Sequence, residues 1–145
     1  MGIESCESHL SLLRCFPSIA QFGINGDTEI QKEAKKAVLE DDPVEHTNAY
    51  GTLTYATAGP NTRTTQLFFN TKKEGNSFLD DQGFAPFAEI VGGIEYLARI
   101  NSEYGERPNQ SKITNRGQEY LDRYPNLTYI RRILEEKIEG AEDTE

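Results

Sequence analysis

Residues 55–70 read YATAGPNTRTTQLFFN. Two strand-like runs are separated by a turn signal, Gly59-Pro60-Asn61, where glycine accepts unusual backbone angles and proline presets φ. Thr65–Asn70 alternates, so Leu67 and Phe69 share one face while Gln66 and Phe68 share the other. A half-solvated strand would present threonine, lysine or glutamate on its outer face. An amide beside a phenyl ring implies that this face is covered as well. Two coverings are open: a loop packed on a two-sided strand, or an apolar pocket with small residues (Ala56, Ala58) on its floor and amides on its rim, suited to an extended peptide.

Working outward, Tyr50–Ala58 (YGTLTYATA) alternates as a strand, with Leu53 and Tyr55 on one side and Thr52, Thr54 and Ala56 on the other. Ser18–Asp27 (SIAQFGINGD) reads as a strand running into a Gly/Asn/Asp turn. Glu29–Pro43 is a solvated helix or polar loop stopped by Pro43. Beyond the loop Lys72–Asn76 come Phe78-Leu79, a polar bend over 80–83 and a strand over Phe87–Val91. Ile94, Leu97, Ala98 and Ile100 then recur at helical spacing. Tyr129–Glu139 (YIRRILEEKIE) reads as a short amphipathic helix, and Asn101–Asn126 between them as irregular.

A chain of 145 residues is one ordinary domain, able to bury about two-thirds of its unfolded surface. Its formal net charge of -9 argues against phosphate-backbone binding, which needs a positive patch, so no nucleic-acid partner is expected. Much of the acidity lies in a tail, 135–145 (EEKIEGAEDTE), read as solvated. Cys6 and Cys15 match no disulfide framework or metal motif, and His9 and His46 lack ligand spacing. Neither a metal nor any other cofactor is expected. No run reaches the length of a membrane span, and the first residues are acidic where a signal peptide is basic, so a cytoplasmic setting is expected. No Gly-x-Ser-x-Gly elbow, phosphate loop or zinc signature occurs.

The block YATAGPNTRTTQLF, followed by NSFLDDQGFAPFAEIVGGIEYL, strongly resembles the cyclophilin-type peptidyl-prolyl isomerases. The earlier RCFPSIAQFGINGD resembles the family's arginine strand, and the likeness runs from about Leu12 to Ile100. It implies a mainly β fold, a cyclophilin-like antiparallel barrel with peripheral helices. Only thirteen residues precede Arg14, too few for the family's first hairpin and helix. The barrel is therefore expected to be abbreviated, even open-edged, and the chain a monomer or an edge-paired dimer. The expected division is a divergent segment over 1–11, the domain with its C-terminal extension over 12–134, and the acidic tail over 135–145.

Residue by residue, the resemblance implies that Arg14 is the catalytic arginine and that Gln21 holds it and the substrate backbone. Ala56, Thr57 and Ala58 match the floor under the peptide before proline; many members have asparagine where Thr57 stands. Gln66 matches the second pocket amide, Phe68 the ring at the pocket base, and Leu79 a wall of the proline socket. Ile19 replaces one apolar wall of that socket, and Phe78 stands where some members have tryptophan. Many members carry a histidine where this chain reads Gln82-Gly83-Phe84, and Phe84 is matched across that departure. The implied activity is cis–trans isomerisation of X–Pro bonds in peptides or client proteins. The alternative is a catalytically weak module of the same fold that binds proline-containing peptides. One residue is missing between Arg14 and Gln21 relative to the family. Inside a strand that loss would turn Arg14 to the other face; taken up in a turn at Pro17 it would not. Both remain open, and so does the plainer reading of Arg14 as a solvated side chain near a terminus.

Overall fold

The computed structural model describes residues 10–15 and 17–136, with the side chains of 10–14 outside that description. Within it, alternation builds β1 (Leu10–Cys15), β2 (Ile19–Asn25), β3 (Thr52–Tyr55), β4 (Leu67–Asn70) and β5 (Pro86–Glu89). A two-residue β6 (Tyr129–Ile130) completes one antiparallel sheet in the order β5-β3-β4-β2-β1-β6. The expected barrel is not closed among the described residues: β5 pairs only with β3 and β6 only with β1, so the sheet ends in two free edges. The domain expected over 12–134 begins inside β1, and residues 1–9 and 137–145, most of the expected divergent segment and acidic tail, lie outside the described residues.

Both faces of the central strands are covered, as the pairing of Gln66 with Phe68 requires. One face gathers Ala20 and Phe22 of β2, with Leu53, Leu67 and Phe69 beside them and Ile100 and Ile130 on top. The Phe22 and Phe69 rings stack at 5.4 Å. A phenylalanine buried as fully as Phe22 contributes about 1.5–3 kcal/mol. The opposite face carries the cross-strand row Gln21, Phe68 and Thr54, and this row underlies the candidate site.

Among the described residues, three helices and two 3-10 turns flank the sheet. Asp27 caps α1 (Thr28–Ala34), its carboxylate accepting from the Glu29 and Ile30 backbone N–H groups at 2.9 and 3.2 Å. The helix is shorter than the Glu29–Pro43 span read from composition. Buried Gln31 ties it down, accepting from Asn25 N at 2.7 Å and donating to Thr65 Oγ1 at 3.1 Å. The 3-10 turns are Ser77–Gln82 and Ile94–Arg99.

Two expectations fail in the C-terminal third. The region read as irregular contains α2 (Gln110–Arg116) and α3 (Gln118–Leu121), whose Ile113, Tyr120 and Leu121 bury themselves against Ile24. They meet at Gly117, where φ is +54 and a Cβ would stand 2.1 Å from Gly26 O. That close approach lets Gln118 N donate to Gly26 O at 3.0 Å. The helix expected over Tyr129–Glu139 is instead β6 followed by irregular backbone through Glu136. Ile130 has a better use in the edge strand, from which it packs on the Ala20–Phe22 cluster.

Candidate functional site

A groove of about 530 Å³ opens over the Gln21–Phe68 row. β2 supplies Ile19 and Gln21, the segment after β3 supplies Ala56, Thr57 and Ala58, and the stretch entering β4 supplies Gln66 and Phe68. The Ser77–Gln82 turn and its exit add Leu79 and Phe84. These nine residues, each singled out in the sequence, therefore line one cavity. Phe78 does not line it; its side chain is 57% exposed.

Inside the groove, the apolar and amide halves are distinct. Phe68 is 3% exposed and meets the Phe84 ring edge-on at 5.9 Å, an arrangement favoured by the ring quadrupoles. Gln21 Nε2 donates to Gln66 Oε1 at 2.8 Å, and Gln66 Nε2 reaches Gln110 Oε1 at 3.4 Å. The amides thus form a relay along one wall. The floor is braced by Thr62, whose Oγ1 accepts from Ala58 N at 2.9 Å and donates to Gly59 O at 2.8 Å. Thr57 Oγ1 donates to the same carbonyl.

A buried polar junction sets the position of the apolar wall. Asn48, Thr54 and Asn70 are all fully buried. Asn48 Oδ1 accepts from Thr54 Oγ1 at 2.8 Å and from Asn70 Nδ2 at 3.1 Å. Its amide nitrogen donates to Asp80 Oδ1 at 2.7 Å and to Phe84 O at 2.9 Å. Asn76 Nδ2 donates to Asn70 Oδ1 and to Ser18 O, both at 2.8 Å. Burial pushes the Asp80 carboxyl up, but hydrogen bonds from the Thr47 hydroxyl and from the side chain and backbone of Asn48 outweigh it and hold the pKa below the ordinary value. The 3-10 turn carrying Leu79, and Phe84 beyond it, are thereby fastened to β3 and β4.

Arg14 is placed only by its backbone. It pairs with Gln21 across β1 and β2, and Cys15 pairs with Ala20. Pro17 and Ser18 form a bend between the two strands. The Arg14 side chain lies outside the described residues, as do Cys6 and His9. Cys15 is a free, half-buried thiol whose pKa burial pushes up.

Four lining residues escaped the sequence reading: Lys35, Thr62, Thr64 and Gln110. Two signals could have found some of them. Asn109 precedes Gln110-Ser111-Lys112 as a helix N-cap, its Oδ1 accepting from Lys112 N at 3.0 Å. Lys35 stands four residues after Gln31, one helical turn on, so an anchored Gln31 carries Lys35 along the same side.

The family model for cyclophilin type peptidyl-prolyl cis-trans isomerase/CLD matches residues 10–118, a span that includes every groove residue. No curated protein matches the chain.

Proposed function

We propose that this chain, which belongs to the cyclophilin-type peptidyl-prolyl cis–trans isomerase family, rotates X–Pro bonds in peptides and folding proteins within the groove over β4. The observation that carries the reading is the joining, in one cavity, of an apolar socket, a floor of small residues and an amide wall.

Rotation about an X–Pro bond meets a barrier of about 18–20 kcal/mol, because twisting removes amide resonance. Uncatalysed exchange takes tens of seconds or longer. In the twisted state the proline nitrogen regains a lone pair, and a cation aimed at that nitrogen stabilises the twisted state more than either planar state. Arg14 is assigned that role. Its backbone register opposite Gln21, a residue of the groove, supports the assignment. Phe68, Leu79, Phe84 and Ile19 are assigned the proline ring. Ala56, Thr57 and Ala58 are assigned the backbone before it, with Gln21 and Gln66 as its hydrogen-bonding partners. Proton transfer, a nucleophile and a metal play no part in such a rotation.

A protease-coupled isomerisation assay on the parent and Arg14→Ala, paired with peptide-binding titrations, tests the assignment. Loss of one well-placed electrostatic contact lowers turnover by about 10²–10³-fold, with binding retained. Equal rates in the two proteins would remove Arg14 from the mechanism. The second reading, a weakly catalytic peptide-binding module, is favoured by the two register shifts that interrupt β1 between Ser11 and Arg14. It predicts low turnover already in the parent, with binding intact.

A further inference from the structure

The groove extends past the proline socket. Along the chain entering β4, Phe68 lies at the socket base, Gln66 in the middle and Thr64 farther out. The outer end is bounded by Thr64, Lys35 and Gln110.

The charge at this end is unlike the rest of the molecule. The chain holds 24 aspartates and glutamates against 15 lysines and arginines, yet among the described side chains no carboxylate lines the groove, and Lys35 is the one ionised group that does. Its helical neighbours are both engaged: Lys32 pairs with Glu29 at 2.7 Å and Lys36 with Glu33 at 2.5 Å. Arg63, next to Thr64, is held away by Asp42 at 2.9 Å and by Asp41 at 3.6 Å. Among the described residues Lys35 has no such partner. Two neutral donors line the same groove, the Thr64 hydroxyl and the Gln110 amide nitrogen, neither with a hydrogen-bond acceptor among the described residues. The Gln31–Thr65 hydrogen bond fixes α1 against the groove wall, so the lysine's stem starts from a held position.

We propose that Lys35, with Thr64 and Gln110, forms a subsite for a carboxylate side chain, and that the preferred substrates are proline segments bearing glutamate or aspartate a few residues before the proline. This rests on the groove being the peptide site with Ala56–Ala58 under the residues before proline. A carboxylate there would gain the ammonium and up to two neutral donors, whereas a basic side chain would meet repulsion and no acceptor charge.

The test uses matched peptides with glutamate or glutamine scanned over the four positions before proline. Isomerisation is followed by exchange NMR, and binding separately by fluorescence anisotropy. At about 20 mM salt the best glutamate peptide is expected to be favoured about two- to fivefold, the range for an exposed ion pair. The preference fades near 1 M salt, where the screening length falls to about 3 Å. Lys35→Gln removes it, and Lys35→Glu transfers it to a lysine peptide. Glutamate and glutamine peptides bound equally by the parent, or a preference unchanged in Lys35→Gln, overturns the proposal. Because anisotropy needs no turnover, a charge preference in binding without catalysis upholds the subsite while removing the isomerase reading.

Discussion

Asn48→Ala is the most demanding perturbation of this structure, because one side chain serves four partners at a fully buried point. Asn70 Nδ2 keeps Thr52 Oγ1 at 2.8 Å, and Asp80 keeps the Asn48 backbone N–H at 2.9 Å and the Thr47 hydroxyl at 2.6 Å. The Thr54 hydroxyl loses its acceptor and the Phe84 carbonyl loses the Asn48 donor. A buried polar group left unpaired costs about 1–3 kcal/mol. The fully buried Thr54 hydroxyl incurs that and the half-buried Phe84 carbonyl less; the cavity left by the side chain adds to it, for about 2–6 kcal/mol together. For a domain of this size, 1 kcal/mol shifts Tm by about 2–4 °C, and a central loss of ~4 kcal/mol lowers Tm by about 8–16 °C. Far-UV circular dichroism suits the measurement, since the chain has no tryptophan to report by fluorescence. The same variant frees the turn that carries Leu79, so affinity for a proline peptide should fall further than stability alone explains. A Tm within about 3 °C of the parent would refute the view that this junction holds the groove wall.

Other substitutions probe separate parts of the structure. Asp80 has a depressed folded pKa, so its contribution to stability is fully present above the unfolded value of about 3.9 and is lost as pH falls through the folded value; Asp80→Asn should therefore flatten the acid limb of a Tm-against-pH curve, and an unchanged limb would count against the linkage. Gly23→Ala places a Cβ 2.1 Å from Thr65 O, at a φ of +115. It should shift the backbone entering Gln66, lowering both Tm and peptide affinity, and a variant with parent-like values in both would contradict the contact. Phe68→Ala removes the buried ring beneath Phe84 and should cost about 3–5 kcal/mol in chemical denaturation, with peptide binding lost. Phe78→Ala, outside the groove lining, should leave kcat/KM within about twofold of the parent.

The central block was legible because its chemistry is local. Alternation over Thr65–Asn70 puts Gln66 and Phe68 on one face whatever surrounds them, and the structure sets Phe68 under Phe84 on that face. The asparagines were harder to read. Asn48, Asn70 and Asn76 look like turn residues in a sequence, and only the fold shows that they bond to one another across β3 and β4. In the C-terminal third, local pattern lost to tertiary contact. Ile130, Ile133 and Leu134 are spaced for a helix, but Ile130 gains more by covering Phe22 from an edge strand. Conversely, α2 and α3 carry little helical periodicity and owe their place to the buried Ile113, Tyr120 and Leu121. Lys35 was passed over because a lysine among exposed charges has no mark of its own until the loop bearing Thr62 and Thr64 is brought beside it.

The asparagine junction also sets a timetable. It joins residues 58 apart between Asn76 and Ser18, and 32 apart between Asn48 and Asp80, and distant joins delay folding, since the entropy of closing long loops falls due before their bonds form. During synthesis from the N-terminal end, β2 and β3 exist before the turn that roofs Phe68. For that interval the ring has no lid, and the nascent sheet presents its stickiest patch to whatever is nearby.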